Sequence, residues 1–195
     1  MRKFLPWIIG IGLILILYFW IKGINNTAVT LNQNIEESWG NVETAYQRRS
    51  DLIPNLVEVV KGYATHEEKT LTEVIQARAQ ATQVKVDPSN ITPEKMAEFS
   101  QAQGNVSSAL GRLLVSVEQY PNLKANENFL KLQDELASTE NQILTARTRF
   151  NEAVKPYNNH IGTFPNSIFA GMFGFHKKEY FKADAGASAA PKVKF

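Results

Sequence analysis

Residues Phe4 to Ile21, FLPWIIGIGLILILYFWI, run for 18 positions without a charge, with Arg2-Lys3 before them and Lys22 after. At about 1.5 Å per residue the run makes roughly 27 Å of helix, near the hydrocarbon thickness of a bilayer. It limits the remaining chain to folds that tolerate a membrane at one end. A cleaved secretory signal also begins with a basic stretch and an apolar run, but its run is about 7–15 residues and closes on small side chains. Here the run closes on Tyr18-Phe19-Trp20-Ile21 with no Ala-x-Ala after it, and a chain without cysteine carries no lipoprotein signal. Trp7, Tyr18 and Trp20 stand where amphipathic aromatics settle among headgroups, and Pro6 falls in the first turn, where its missing N–H costs nothing. The expectation is an uncleaved, single-pass anchor. Arg2, Lys3 and the amino terminus outweigh Lys22, which favours a cytoplasmic N-terminus with the rest of the chain in the periplasm or outside the cell.

Charge is unevenly spread. Without Arg2, Lys3 and Lys22 the chain holds 18 basic and 19 acidic residues, so the overall +2 belongs to the anchor's flanks. Residues 23–154 carry 12 basic and 17 acidic groups, while residues 155–195 carry six lysines against Glu179 and Asp184. Nucleic-acid binding calls for a concentrated basic face, and the middle of this chain is acidic, so no nucleic-acid partner is expected. The absence of cysteine removes disulfides and thiol chemistry.

From about Thr27 to Tyr157 the pattern is helical. Phe129, Leu132, Leu136, Thr139, Ile143, Ala146, Phe150, Ala153 and Tyr157 step by three and four without a break, one stripe of a long helix. Such a seam serves a bundle core within one chain, or an intermolecular coiled coil. Thr92-Pro93-Glu94 starts a helix with a capping hydroxyl and a proline at the first position, and Pro121 ends it. Thr65 and Glu68 spell a capping box. Leu31, Ile35, Trp39, Val42 and Tyr46 lead to a second run with Leu52, Ile53, Leu56, Val57 and Val60, and Pro54 between them predicts a kink or a fresh helix capped by Ser50. No segment alternates with period two long enough for a strand. The expected fold is all-α, an N-terminal transmembrane helix followed by a long bundle of about four helices. The first of these is a candidate to continue the anchor. Organisation follows as tail and anchor over 1–24, bundle over 25–165, an aromatic, glycine-broken flap over 166–182, and a disordered tail over 183–195. The flap reads as packing on one end of the bundle. A sharper reading has it touching lipid or a partner with help from Lys177, Lys178 and Lys182.

Catalytic patterns are missing. His66, His160 and His176 are far apart in sequence, and His66-Glu67-Glu68 lacks the second histidine of a zinc-peptidase helix. Gly171-x-x-Gly174 is aromatic and no Gly-Lys-Ser/Thr follows, so there is no phosphate loop, and no serine sits in a nucleophile elbow. No cofactor, metal or catalytic residue is expected. Charge set beside the apolar stripes is the unusual feature, at Arg48, Arg49, Asp51, Arg78, Glu118, Glu140 and Arg147. Glu140 and Arg147 are two turns apart on one face, a spacing that suggests a buried pair fixing register, against the plainer reading of surface ion pairs.

Those residues also carry a family resemblance. Trp39 with Val42, then Tyr46-x-Arg48-Arg49-x-Asp51-Leu52-Ile53-Pro54-Asn55-Leu56-Val57, resembles the signature of the bacterial LemA family. The likeness continues through Gly62-Tyr63-Ala64-x-His66-Glu67, Ala77-Arg78-Ala79 and Val117-Glu118-x-Tyr120-Pro121 to Leu136-x-x-Thr139-Glu140-Asn141. It then takes in Ala146-Arg147, Phe150-Asn151, Tyr157-Asn158 and Phe164-Pro165. Phe150 departs from the family's common tyrosine. The resemblance implies a membrane-anchored antiparallel helical bundle with a short N-terminal tail. It implies no reaction, because the family has no established activity; its members are associated with envelope functions, and one branch with magnetosome membranes. The motif positions Trp39, Arg48, Arg49, Asp51, Pro54, Asn55 and Arg78 therefore stand as structural or interaction positions. So do Glu118, Tyr120, Pro121, Glu140, Asn141, Arg147, Asn151 and Asn158.

Two functions fit this reading. The first is a non-enzymatic scaffold or adaptor of the bacterial inner membrane, presenting its bundle to other envelope proteins or to copies of itself. The second is a membrane-tethered sensor or small-ligand module, which predicts a polar, roomy interior near Arg48, Arg78 and Arg147 where a scaffold predicts a dry one.

Overall fold

The computed structural model describes residues 5–64 and 67–182, and among the described residues every regular element is helical. The helices are α1 (Leu5–Lys61), α2 (Glu68–Gln83), α3 (Pro93–Val117), α4 (Pro121–Lys124), α5 (Glu127–Gly162) and α6 (Asn166–Met172), with a 3-10 turn at Pro88–Asn90.

Helix α1 is 57 residues long and runs from the apolar segment into the body of the protein. Gly23, Asn25 and Asn26 are poor helix formers, yet Ile24 among them and Ala28 just after them are buried and hold the turn in place. His160 near the end of α5 adds a hydrogen bond from Nε2 to the Ile24 carbonyl at 2.9 Å. The boundary expected near residue 24 is thus no break in secondary structure. Nor does a fresh helix begin at Pro54, because α1 continues through it.

The long helices pair in opposite directions. Going up α1, Ile24 meets His160, Arg49 meets Glu140 and Tyr63 meets Asn126, so α5 descends along α1. Glu67 meets Tyr120 and Glu73 meets Arg112, so α3 descends along α2. The caps expected from sequence hold α3: Thr92 Oγ1 accepts from Lys95 N at 3.3 Å and Pro93 occupies the first position. Asn126 does the same for α5, accepting from Phe129 N at 3.0 Å. The Thr65–Glu68 box rests on Thr65, outside the described residues; α2 begins at Glu68 with Glu67 preceding it.

Two apolar clusters fill the interior. One, toward the apolar segment, joins Ile35, Trp39, Val42 and Tyr46 with Phe99, Ile143, Phe150 and Tyr157. The other, at the far end, joins Ile53, Leu56 and Val60 with Val74, Leu113, Leu123, Phe129 and Leu136. The α5 stripe is spent inside the chain: seven of its nine positions are buried, and Leu132 and Ala153 pack against the clusters. A second chain cannot use that seam without opening the body.

Candidate functional site

Between the two clusters lies a polar layer centred on Arg49. The α1 stripe passes through Tyr46, Arg49 and Ile53, and the guanidinium is 2% exposed. A buried cation is tolerable only when its donors are paired. Here Nη1 donates to Ser107 Oγ at 2.7 Å and to Glu140 Oε1 at 2.9 Å. Nη2 donates to Gln103 Oε1 at 2.7 Å and to the Gln103 carbonyl at 3.1 Å, while the Tyr46 ring lies 5.1 Å below the guanidinium carbon. One side chain on α1 thereby grips α3 and α5 together. Planar, forked donors suit this task, and a lysine would supply one compact point charge instead.

Arg78 does comparable work between α1 and α2. Proline has no N–H, so Pro54 leaves the carbonyl four residues earlier without its helical donor. That carbonyl belongs to Ser50, and Arg78 Nε donates to it at 2.8 Å and to Ser50 Oγ at 3.1 Å. Two separate sequence motifs, one around Pro54 and one around Arg78, meet at this bond. Replacing Arg78 with alanine is expected to cost about 1.5–3 kcal/mol, the range for hydrogen bonds to charged groups. In a P54A background, where the helix regains its own donor, the same change is expected to cost less than about 1 kcal/mol. Denaturant titration of the four species measures the coupling; equal costs in both backgrounds would contradict the assignment.

Arg48, Arg49, Arg78 and Lys85 line an open cleft of about 780 Å³ bounded by α1, α2 and the start of α3, with Phe99 and Val106 among its walls. Arg48 and Lys85 are exposed, and Asp51 is occupied by Gln47 Nε2 at 2.7 Å. Cations therefore outnumber carboxylates there. Asn55 also lines the cleft, on the exposed side of α1.

The remaining motif residues act elsewhere. Glu140 pairs with Arg49 and not, as its spacing suggested, with Arg147. That expectation looked along one helix, whereas the carboxylate faces a cation on another. Arg147 instead donates from Nη2 to the Lys182 carbonyl at 2.7 Å and sits 5.1 Å over the Phe181 ring. Asn151 and Asn158 continue the same arrangement along α5. Asn151 donates to the Phe181 carbonyl at 3.0 Å and accepts from Phe181 N at 2.8 Å. Asn158 donates to the Lys178 carbonyl at 2.8 Å and accepts from Lys178 N at 2.9 Å. Each amide thus pairs with both backbone groups of one residue, as a neighbouring strand would. The match is metrical: seven helical residues rise about 10 Å, and three extended residues span about 10 Å. Residues 178–182 lie as a strap along α5, running against it.

The strap's side chains are anchored as well. Phe181 stacks on Trp39 with planes 4° apart and meets Phe150 edge-on. Trp39 is fully buried and its indole N–H has no hydrogen-bond partner, so it serves as packing. Lys178 is buried, its ammonium donating to the Ser89 carbonyl; burial pushes its pKa below the usual 10.5, against the pull of Glu36 and Asp87. Sequence reasoning treated Lys178 as a surface cation and so missed it. At the far end Tyr120 donates to Glu67 Oε1 at 3.2 Å and Pro121 opens α4, whereas Glu118 and Asn141 are exposed. No group of three or more metal-ligating side chains is assembled among the described residues.

The model of the LemA family matches residues 38–195. The chain is 28% identical over 174 residues to magnetosome protein MamQ 2 of Paramagnetospirillum magneticum, covering 80% of this chain and 64% of that protein. It is 27% identical over 173 residues to magnetosome protein MamQ of Magnetospirillum gryphiswaldense, with the same coverage. It is 24% identical over 168 residues to protein LemA of Metamycoplasma hominis, covering 86% of this chain and 73% of that one. The chain thus spans 64% of the length of the magnetosome relatives.

Proposed function

We propose, from the premise that the chain belongs to the LemA family, that it is a single-pass, non-enzymatic scaffold of the bacterial envelope. In this reading an antiparallel body of four helices is held at a set height above the inner membrane and offered to other envelope proteins or to further copies. The observation that carries it is the unbroken α1. Its N-terminal part is long and apolar enough to cross a membrane and is almost wholly unburied by the protein. The same helix then supplies one wall of both apolar clusters, so the anchor and body share one rigid element of about 85 Å. The polar layer at Arg49 fixes how α3 and α5 sit on that rod, a use of buried polar groups that suits a display surface better than a deformable pocket. The family and relatives bear names that are not those of enzymes, in keeping with a role without a reaction. The flanking charges support a cytoplasmic N-terminus with the body on the other side. Extraction of the full chain in mild detergent, followed by native mass analysis, should return a reproducible complex or oligomer. A clean monomer with no recurring partner contradicts the scaffold.

One observation favours a second reading, a membrane-tethered small-ligand module. The cleft is lined by Arg48, Arg49, Arg78 and Lys85 against Glu43 and Asp51, an excess of cations that suits a small anion. Calorimetric titration of the full chain in detergent with inorganic phosphate and with citrate tests it. Saturable binding that R48A/K85A abolishes supports the module, and no heat with either anion counts against it.

A further inference from the structure

The segment after α5 carries bulky apolar side chains that the body does not cover. Phe164 is 82% exposed, Ile168 55%, Met172 76% and Phe173 46%. Phe164, Ile168 and Met172 are four residues apart, and the last two lie on one face of α6. The opposite side of α6 is engaged: Ala170 is buried, and the Phe169 ring meets Trp20 edge-on at 5.8 Å. Soluble proteins rarely leave so contiguous an apolar surface in water.

Its position names the occupant. Trp20 is the next-to-last residue of the uncharged run, and His160 on α5 bonds the Ile24 carbonyl just beyond it. The exposed face of α6 therefore lies level with the end of the apolar segment of α1, a stretch in which Leu17 and Phe19 are exposed too. We infer that α6 is a second membrane-contacting element, a short helix whose Ile168–Met172 face, with Phe164 just ahead of it, enters the boundary between headgroups and acyl chains of the same bilayer that α1 crosses. Apolar side chains outward, an amphipathic tryptophan alongside and exposed Lys22 and Lys177 nearby in sequence are the composition that such an interface takes. Lys178 and the strap are not part of it, because Lys178 is buried against Ser89 and Phe181 in the core. Two points of contact would stop the body from swivelling about α1 and would fix which face of the cleft looks along the membrane.

The inference rests on α1 spanning a bilayer, and one experiment separates the two claims. The chain has no cysteine, so single-cysteine variants I14C, I75C, I168C and M172C take one nitroxide each at an exposed position. The full chain is reconstituted in phosphatidylcholine–phosphatidylglycerol vesicles, and collision of each label with oxygen and with a water-soluble nickel chelate is measured. Labels at positions 168 and 172 are expected to favour oxygen as the label at 14 does, while the label at 75 favours the chelate. Labels at 168 and 172 that behave like 75, with 14 still in lipid, overturn the inference and leave the anchor intact. Protection of 168 and 172 from both agents also overturns it, since protein would then cover the face. A chelate-accessible label at 14 overturns the anchor and the inference together.

Discussion

Replacing Arg49 with alanine is expected to lower the unfolding free energy by about 3–5 kcal/mol, the range for stranding one side of a buried charged network. The loss would not come from the ion pair alone. Gln103, Ser107 and Glu140 all lose their donor at once, and the layer between the two apolar clusters loses its volume. Glu140 provides the contrast. Its side chain is 48% exposed, so water replaces it, and Arg49 keeps both bonds to Gln103 and the one to Ser107. E140A is therefore expected to cost only about 1 kcal/mol, as half-exposed pairs do. Denaturant titration of the full chain in detergent, followed by helical circular dichroism, measures both. Equal costs would mean that the Arg49–Glu140 contact, and not the layer, holds the helices in register.

Replacing Phe181 with alanine is expected to release the strap. Truncating a buried phenylalanine costs about 3–5 kcal/mol, and here the lost ring is wedged against Trp39, Phe99 and Phe150. The strap is a terminal segment of the described fold, so it can leave while the helices stay. Trypsin is then expected to cut rapidly after Lys178 or Lys182, and Trp39 emission is expected to shift to the red as its cover is lost. N151A should loosen the strap less, by about 1–2 kcal/mol, because it orphans two backbone groups of Phe181 but leaves the ring seated. If F181A unfolds the whole body in step with strap release, the strap is a cooperative part of the core and not a separable clasp.

The parts legible from sequence were those that local periodicity and capping chemistry encode. The three-four stepping from Phe129 to Tyr157 and the Thr92-Pro93 start each follow from physics acting within one or two helical turns, whereas α3 ends at Val117, ahead of the stop expected at Pro121, which opens α4 instead. The Arg49 layer was only half legible. Carrying the α1 stripe past Tyr46 at the same spacing lands on Arg49 and then Ile53, so its seam position was there to be read. Its partners stand 54, 58 and 91 residues away, and no periodicity names a partner on another helix. The Glu140–Arg147 expectation failed for that reason. Arg78 became intelligible only beside Pro54, where a missing donor on one helix explains a guanidinium on another. The strap has no repeat of its own, and the aromatic run that leads into it is broken by Gly174 at φ +76°. Its trace in the sequence was the seven-residue gap between Asn151 and Asn158, which puts two amides on one face of α5 at the pitch of an extended chain.

The claim on which the function depends is that α1 is one rod standing out of the bilayer. Full chains in lipid nanodiscs, labelled with a donor at V29C or K61C, can be paired with acceptors on the lipid headgroups. With α1 unbroken and upright, residue 29 lies about 12 Å and residue 61 about 60 Å beyond Ile21. Energy transfer is therefore expected to be strong from position 29 and weak from position 61. Equally strong transfer from both would show the body lying along the membrane, and would contradict a helix that carries it away from the surface.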